Sequence, residues 1–417
     1  MSVATLVSSI LGDDLPVAFR AYDGSRCGPP DAATTIVVRS PDAIRRMVTA
    51  PGELGIGRAY VAGDIDLEGS VFDVLELRHR VPTFKLTASQ WREALGLVGA
   101  SGLRPLPLPP EEARLSGRRH SKARDAAAIA HHYDVSNDFY RIVLGPSMTY
   151  SCAVFATPTT SLEDAQAAKH ELVCRKLALE PGMRLLDIGC GWGGMVLHAA
   201  REHGVRAVGV TVSQRQAELA EKRAAEAGVA DRVDIRLQDY RDVADGPFDA
   251  ISSIGMFEHV GLSQLEVYFA HCFELLRPGA RMVNHAIARP AKPASRFRLP
   301  ETRFARRSFI DRFVFPDGEL HEVGSVVSAM QGQRFEVRHL ESLREHYALT
   351  LRQWVRNLEG DWDRAVARST DGRARVWRLY MAASAVNFED ANTQVHQVLG
   401  VKPDGTRSGM PLRARFE

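Results

Sequence analysis

The sequence contains no apolar run that approaches the roughly 20 residues needed to cross a bilayer, so any contact with a membrane is expected to be peripheral. Its opening, MSVATLVSSILGDDLP, lacks the basic segment with which a secretory signal peptide begins. Cysteines are few, scattered and without the spacing of metal ligands: Cys27, Cys152, Cys174, Cys190 and Cys272. This usage favours reduced thiols in a cytoplasmic protein and predicts no metal site.

A large excess of either charge is also absent. Lys and Arg number 53 against 51 Asp and Glu, a formal net charge of +2, so the composition gives no reason to expect a nucleic acid as partner. A local basic patch does occur in RRHSKAR, residues 118–124, directly after a proline-rich stretch. Two interpretations of this patch stay open: a solvated linker and a contact with lipid headgroups.

Three regions of the chain differ in composition. Residues 1–100 combine short β-like runs such as TTIVVRS with helix-like stretches and glycine turns, which predicts a small α+β domain. Residues 101–128 form a proline-rich and basic linker. From 129 to 417 strand-like and helix-like segments alternate, which predicts an α/β domain with a parallel sheet and helices on both faces. Ligands of such sheets bind at the carboxyl ends of the strands.

The glycine-rich segment DIGCGWGG, residues 187–194, follows a predicted strand and precedes a predicted helix. Its glycines allow a ligand to approach the backbone closely and present the N–H groups of a helix N-terminus. A G-x-G turn alone is a weak signal, because dinucleotide sites use the same device. Here the dinucleotide fingerprint G-x-G-x-x-G is not met. The spacing, with Asp187 on the strand before it, is that of S-adenosylmethionine-dependent methyltransferases.

A second signal is the segment SSIGMFEHVG, residues 252–261, which reads as a buried strand that ends in two ionisable residues, Glu258 and His259. An acid at an apolar strand end needs a partner, which makes Glu258 a candidate for a functional role. We interpret His259 as a structural, hydrogen-bonded residue. His285, in NHAIA, follows the next candidate strand, so Glu258 and His285 are expected to converge at one edge of the sheet.

In order along the chain, the segment from about residue 131 to 354 carries the motifs HHYDVSNDFYRIVLGPSMTYSCAVF, LLDIGCGWGG, VGVTVSQRQ, LQDYRD, GMFEHVG, NHAIA and HYALTLRQW. Together they resemble the cyclopropane fatty acid synthase family. AYDGSRCGPP and LGIGRAYVAGDIDLEGS resemble the extra N-terminal domain of the members that act on bacterial phospholipids. The resemblance implies a Rossmann-like class I methyltransferase sheet, a lipid-associated accessory domain and an enzyme that works at the inner face of the membrane.

The implied reaction is methyl transfer from S-adenosylmethionine to the cis double bond of an acyl chain in membrane phospholipid. The product is a cyclopropane or a 10-methylene fatty acid, and the sequence leaves both open. A methyl-branched end product would need a separate reductase as partner, and a homo-oligomer is compatible with the family. Two alternatives also stay open: a methyltransferase of another small molecule, and an inactive lipid-binding relative.

Members of this family commonly use a bound bicarbonate as the base that removes a proton. The positions that match its binding residues are Cys152, Glu258, His285, the backbone of Ile287, and Tyr347. Taken singly, Cys152 is more typical of a small buried apolar residue than of a catalytic one, and Tyr347 of a packing aromatic.

The resemblance also implies contacts to S-adenosylmethionine. They fall on its amino-acid end (Tyr133, Tyr150, Ser151), its methionine part (Gly189, Gly191), its ribose and adenosine side (Thr211, Val212, Gln216) and its adenine edge (Gln238, Asp239). Many methyltransferases have an acid at the end of the second strand, where this chain has Thr211. Residues of about 286–324 interrupt the α/β pattern with prolines, phenylalanines and arginines, and predict a lid-like insertion over the acyl site with arginines for lipid phosphates.

Overall fold

The protein was analysed as a computed structural model that describes residues 2–12, 14–80, 86–99, 104–113, 136–291, 308–316 and 318–416. Four features predicted above lie outside these residues: the basic segment 118–124, Tyr133, the arginines of the insertion between 292 and 307, and the side chain of His259. By contacts the chain divides into two units. The first comprises Met1–Arg114, Phe297–Pro316 and Leu358–Val386, and the second comprises Leu115–Arg296, Asp317–Asn357 and Asn387–Glu417.

The first unit contains a small sheet with the strand order β2-β1-β3-β4. Its strands are β1 (Ala18–Ala21), β2 (Arg26–Cys27), β3 (Thr35–Val38) and β4 (Ile65–Glu68), and its helices include α1 (Val3–Leu11), α2 (Asp42–Thr49), α3 (Glu53–Val61), α4 (Val71–Arg80) and α5 (Ala88–Val98). Alternate residues of β1 and β3, such as Phe19 and Ile36, point into one core. The structure thus contains the small α+β unit that the N-terminal sequence predicts. Residues 358–386, expected in the second domain, pack with this unit instead.

The second unit is built on a sheet with the order β10-β11-β9-β8-β5-β6-β7. The strands are β5 (Arg184–Ile188), β6 (Arg206–Thr211), β7 (Val233–Leu237), β8 (Phe248–Ile254), β9 (Leu276–Ala288), β10 (Glu336–Ser342) and β11 (Gln394–Val401). The five strands β5 to β9 run parallel, as the alternating pattern predicts, whereas β11 runs antiparallel to both β9 and β10.

Helices alternate with these strands along the chain. Within the described residues they are α6 (Asn137–Leu144), α7 (Leu162–Leu177), α8 (Gly194–His203), α9 (Gln214–Glu226), α10 (Leu265–Leu275), α11 (Phe309–Phe313), α12 (Val323–Gly332), α13 (Arg344–Gly360), α14 (Trp362–Ala367) and α15 (Asp371–Glu389). None of them is both long enough and apolar enough to cross a bilayer.

Apolar layers cover both faces of the large sheet. Leu186 belongs to a core that includes Phe269 of α10 and Met330 of α12. Its neighbour Leu185 belongs to another core, which includes Val173 of α7. Because successive side chains of a strand point to opposite faces, these two cores lie on the two sides of the sheet. The prediction of a sheet with helices on both faces is therefore confirmed.

The antiparallel strand β11 matters for the site, because it starts where the parallel strand β9 ends. Val395 of β11 pairs with Ile287 of β9, and Gln397 pairs with His285. On the other side of β9, His285 pairs with Ile254 at the end of β8. Side chains from β8, β9 and β11 therefore meet at the carboxyl edge of the parallel strands, where open α/β sheets bind ligands.

Candidate active site

A cavity of about 340 Å³ opens at the carboxyl ends of β5, β6 and β8. Its volume lies within the range of about 300–1,000 Å³ usual for small-molecule sites. The tenth predicted cofactor residue, Tyr133, is outside the described residues. The other nine line the cavity: Tyr150, Ser151, Gly189, Gly191, Thr211, Val212, Gln216, Gln238 and Asp239. One cavity thus brings together residues that are almost 90 positions apart in the sequence. Their individual contacts to a cofactor stay predictions.

The glycine loop has the backbone conformation that the sequence predicts. Gly189 follows β5 with φ of +78°, and a Cβ atom added there would lie 2.6 Å from Cβ of Met256, which also lines the cavity. Only glycine allows this close approach without moving Met256. Two residues before α8 begins, Trp192 lines the same cavity, so the first turn of the helix faces the ligand space.

We expect Gly189→Ala to weaken binding of S-adenosylmethionine by at least about 10-fold, since positive φ costs an L-residue about 1–2 kcal/mol and Met256 must also move. Isothermal titration calorimetry would measure the affinity for S-adenosylmethionine. The matched control is Gly182→Ala, because Gly182 has φ of +85° but no heavy atom within 4 Å of an added Cβ. Equal losses of affinity in the two variants would show that the contact between residue 189 and Met256 does not affect cofactor binding.

Buried ionisable residues that sequence analysis missed lie beside the loop. Lys169 and His170 of α7 line the cavity together with Asp187. Burial lowers the pKa of Lys169 to about 7 and raises that of Asp187 to about 6, although Ser252 donates a hydrogen bond of 2.6 Å to Asp187. Lys169 Nζ donates to Ser151 Oγ over 3.1 Å. The sequence indicates Lys169 only weakly, because an amphipathic helix carries lysine on its solvated face far more often than towards a ligand.

On the predicted ribose side, Thr211 Oγ1 donates to Gln216 Oε1 over 2.8 Å. Both side chains are buried, so each fixes the orientation of the other at the cavity wall. On the predicted adenine side, both carboxylate oxygens of Asp239 accept hydrogen bonds from Arg241, which also lines the cavity. Arg241, which belongs to the motif LQDYRD but was not predicted as a site residue, is thus a further residue of this wall.

The carboxylate of Glu258 lies buried in the short 3-10 helix Phe257–His259 that follows β8. Its Oε1 accepts a hydrogen bond of 2.7 Å from the backbone N–H of Ile287. Its Oε2 is buried and has no hydrogen-bond partner among the residues that the structure describes. Burial raises the pKa of this carboxyl to about 7, and the hydrogen bond from Ile287 only partly opposes that effect. An unpartnered carboxylate oxygen in a dry place is costly, which points to a ligand.

The imidazole of His285 presents a hydrogen-bond donor, whereas Glu258 presents an acceptor. Lys176 Nζ donates to Gln397 Oε1 over 2.7 Å, and this contact orients the amide of Gln397 so that its Nε2 faces His285 Nδ1 at 3.1 Å. Nδ1 then accepts, which assigns the ring proton to Nε2. That Nε2 is buried, and within the described part of the chain it has no hydrogen-bond partner. Burial holds the pKa of His285 well below its ordinary value, so the ring is a neutral donor.

Lys176 is itself fully buried and also contacts the carboxylate of Glu341 on β10. A buried ammonium group is tolerated only where its protons are taken up, and here Gln397 and Glu341 take up two of them. The chain from Glu341 through Lys176 and Gln397 to His285 therefore fixes the orientation of the imidazole. Neither Lys176 nor Gln397 lies in a motif that indicates this role.

Cys152 and Tyr347 are linked through the start of α13. The thiol of Cys152 lies 3.6 Å from the carbonyl oxygen of Leu343, and the N–H of Leu343 donates to Val395, the strand partner of Ile287. Tyr347 lies one turn further along and packs on Phe388 with the ring centroids 4.7 Å apart. Burial raises the pKa of Cys152 far above its ordinary value, so the thiol stays protonated and can donate. Cys152 and Tyr347 are thus linked through Leu343 and Val395 to the end of β9, which carries His285 and Ile287, while the roles of all five positions stay predictions.

Comparison with known proteins agrees with this geometry. Residues 120–398 match the family model described as mycolic acid cyclopropane synthetase. The chain belongs to this family. It is 46% identical to the probable fatty acid methyltransferase Rv3720 of Mycobacterium tuberculosis, over 95% of this chain and 94% of that protein. It is 33% identical to the tuberculostearic acid methyltransferase UfaA1 of Mycobacterium tuberculosis, over 92% of this chain and 87% of that protein.

Among solved structures, the mycolic acid cyclopropane synthase CmaA1 complexed with SAH and CTAB is similar, with a TM-score of 0.61 and 34% identity. The match covers 66% of this chain and 97% of that one. The mycolic acid cyclopropane synthetase family has the class I methyltransferase fold, so the predicted fold class and the predicted enzyme class, a methyltransferase of the cyclopropane synthase type, are confirmed.

Proposed function

We propose that the protein transfers a methyl group from S-adenosylmethionine to the cis double bond of an unsaturated fatty acyl chain in membrane phospholipid. The product is a 10-methylene or a cyclopropane fatty acid. The observation that carries the proposal concerns two buried polar atoms near the carboxyl ends of β8 and β9, Glu258 Oε2 and His285 Nε2, neither of which has a hydrogen-bond partner among the described residues. A methyltransferase whose substrate supplies its own nucleophile and base would have no need of this pair.

The cavity residues suit S-adenosylmethionine. Gly189 leaves room for a ligand beside Met256, the first turn of α8 offers free N–H groups, and Thr211 with Gln216 forms a rigid polar wall. When bound, the cofactor supplies an electrophilic methyl group. The task of this chain is then to hold that methyl in line with an alkene, which is a poor nucleophile, and to keep water away.

The Glu258 and His285 atoms suit a bicarbonate ion. A neutral imidazole N–H and a protonated thiol can donate to its oxygens, and Glu258 Oε2 can accept its O–H. When bound, bicarbonate would supply the base that takes a proton from the transferred methyl group. Glu258 Oε1 is already held by the N–H of Ile287, so Oε2 is the oxygen that is left to contact the anion.

The chain's own residues keep that base in position and dry. Cys152, Glu258, His285 and Tyr347 are all at least nine-tenths buried. In such a place the hydrogen bonds are stronger than in water and cost no reorganisation during the reaction. Holding His285 neutral matters, because a positively charged imidazole would bind the anion too firmly and lower its basicity.

Other parts of the molecule have roles that follow from this proposal. The first unit is a lipid-associated accessory domain, and the protein contacts the inner face of the membrane from the cytoplasm without crossing it. A methylene product requires a separate reductase to reach a methyl branch, because this site holds no hydride donor among its proposed cofactors.

The test is to express the chain in a host rich in oleoyl and vaccenoyl phospholipids and to analyse the fatty acids. We expect a new species heavier by one CH₂ group. Cyclopropane and methylene products share that mass, so proton NMR must separate ring methylene signals from exocyclic alkene signals. Unchanged lipids from a folded protein that binds S-adenosylmethionine would overturn the proposal and favour another small-molecule substrate or an inactive relative.

A further inference from the structure

A cluster of metal-binding side chains lies outside the proposed active site, between α7 and α8. One ligand atom each from Cys174 of α7 and from His198 and His203 of α8 lie within 4.8 Å of one another. Cys174 is fully buried, while the two imidazoles are partly exposed, so an ion could enter from the surface. The two helices pack directly on each other through this region.

Glu171, one helical turn before Cys174, adds an oxygen donor. Its Oε2 lies 2.9 Å from His203 Nε2 and 3.4 Å from His198 Nε2. Tetrahedral zinc holds its ligand atoms roughly 3.3–3.8 Å apart, given bonds of about 2.0–2.3 Å. Glu171 and the two histidines therefore already lie near the spacing of zinc ligands, whereas the cluster with Cys174, which spans up to 4.8 Å, must contract by about 1 Å for the thiol to join them. The other oxygen, Oε1, accepts a hydrogen bond of 2.8 Å from Arg175 Nε, which fixes the carboxylate as a single-oxygen donor.

From this geometry we propose that Glu171, Cys174, His198 and His203 bind a Zn²⁺ ion. One sulfur, two imidazole nitrogens and one carboxylate oxygen form a donor set that selects zinc among the common divalent ions. On binding, the thiol of Cys174 releases its proton to solvent, and the thiolate and carboxylate then balance the two charges of the ion. Four protein ligands leave no open position, so the site is structural rather than catalytic.

Such an ion would stabilise the two helices that form part of the wall of the cofactor cavity. Helix α7 contributes Lys169 and His170 to the cavity wall, and α8 contributes Gly194 and Met195. Cys174 lies about one turn beyond Lys169 on the same helix. A zinc ion that joins α7 to α8 would therefore hold both cavity walls at a fixed separation. The inference does not depend on which lipid the enzyme modifies.

The experiment uses the full chain and cobalt as a spectroscopic substitute for zinc. The purified protein is freed of metal with a chelator, returned to plain buffer and titrated with CoCl₂. We expect saturation at one Co²⁺ per chain, with the visible bands of tetrahedral Co²⁺ and a near-ultraviolet thiolate-to-cobalt band. Added ZnSO₄ should displace the cobalt and raise the melting temperature, because it binds only the folded state.

Variants identify the ligands. Cys174→Ser should remove the thiolate band, whereas Cys27→Ser, at a cysteine outside the cluster, should keep it. Loss of a residue that only supports a metal ligand weakens binding by about 10- to 100-fold. His203→Gln removes a ligand, so it should weaken zinc binding by more than this. Should wild-type protein bind neither ion at one equivalent, or bind cobalt without the thiolate band, the cluster is only a hydrogen-bond network around Glu171 and the proposal is wrong.

Discussion

Glu258→Gln is expected to lower the rate of methyl transfer by about 10²–10⁴-fold, the usual contribution of a positioned acid or base, and to leave the affinity for S-adenosylmethionine within a few-fold of wild type. The amide can still accept the hydrogen bond from Ile287 through its oxygen. It presents an NH₂ donor where the anion's O–H needs an acceptor, so the base is displaced or lost. Single-turnover rates and calorimetric affinities would separate the two quantities.

The same substitution is expected to increase stability at alkaline pH. A folded pKa of about 7 lies above the ordinary value of 4.5, so the folded state binds the proton more tightly than the unfolded state. Stability from this group is therefore present below pH 4 and is lost as the pH rises through 7, a cost of about 3 kcal/mol. Glu258→Gln removes the cost, so its melting temperature should exceed that of wild type at pH 8 and match it at pH 4.

The matched control is Glu266→Gln, an exposed glutamate on α10 a few residues further along. It should change neither the rate nor the melting temperature. A Glu258→Gln variant with full activity would remove Glu258 from the site. A variant that is inactive and also strongly destabilised at pH 8 would instead show that Glu258 is a structural residue whose carboxylate the fold requires.

Much of the site was predictable because it depends on parallel strands that follow one another in the sequence. Glu258 and His285 were expected at one edge of the sheet because each was predicted to follow a strand. In the structure His285 lies within β9, where it pairs with Ile254, the last residue of β8, and Glu258 follows β8 by four residues. The glycine loop was predictable because Gly189 and Gly191 need positive φ, a requirement that the sequence itself displays. In both cases a local pattern decides the position of the side chain.

The parts that sequence analysis missed depend on contacts between distant segments. Lys176 and Gln397 are 221 positions apart, and nothing local to either residue indicates that an antiparallel strand will place them side by side. Likewise, the cysteine spacing argued against a metal site, yet Cys174 meets two histidines from the next helix. The packing of residues 358–386 with the first unit is a similar case.

The second large effect is expected from Gln397→Glu, which changes one NH₂ group to an oxygen in a fully buried place. The new carboxylate still accepts from Lys176, so the fold should survive. A carboxylate cannot donate to His285 Nδ1, however. It accepts a hydrogen bond instead, so the ring proton moves to Nδ1. His285 Nε2 then becomes an acceptor where the proposed anion needs a donor, and we expect kcat to fall by about 10²–10⁴-fold with little change in KM for S-adenosylmethionine.

Three measurements distinguish this positioning role from a merely structural one. Nitrogen-15 NMR should show the proton of His285 on Nε2 in wild type and on Nδ1 in the variant. The pH profile should also shift, because the carboxylate at position 397 raises the pKa of the imidazole beside it. Gln331→Glu, at an exposed glutamine of α12, is the control for the added charge. If Gln397→Glu kept its kcat while the tautomer changed, the donor role of His285 would be refuted; if neither changed, the hydrogen-bond chain from Lys176 would not govern the imidazole.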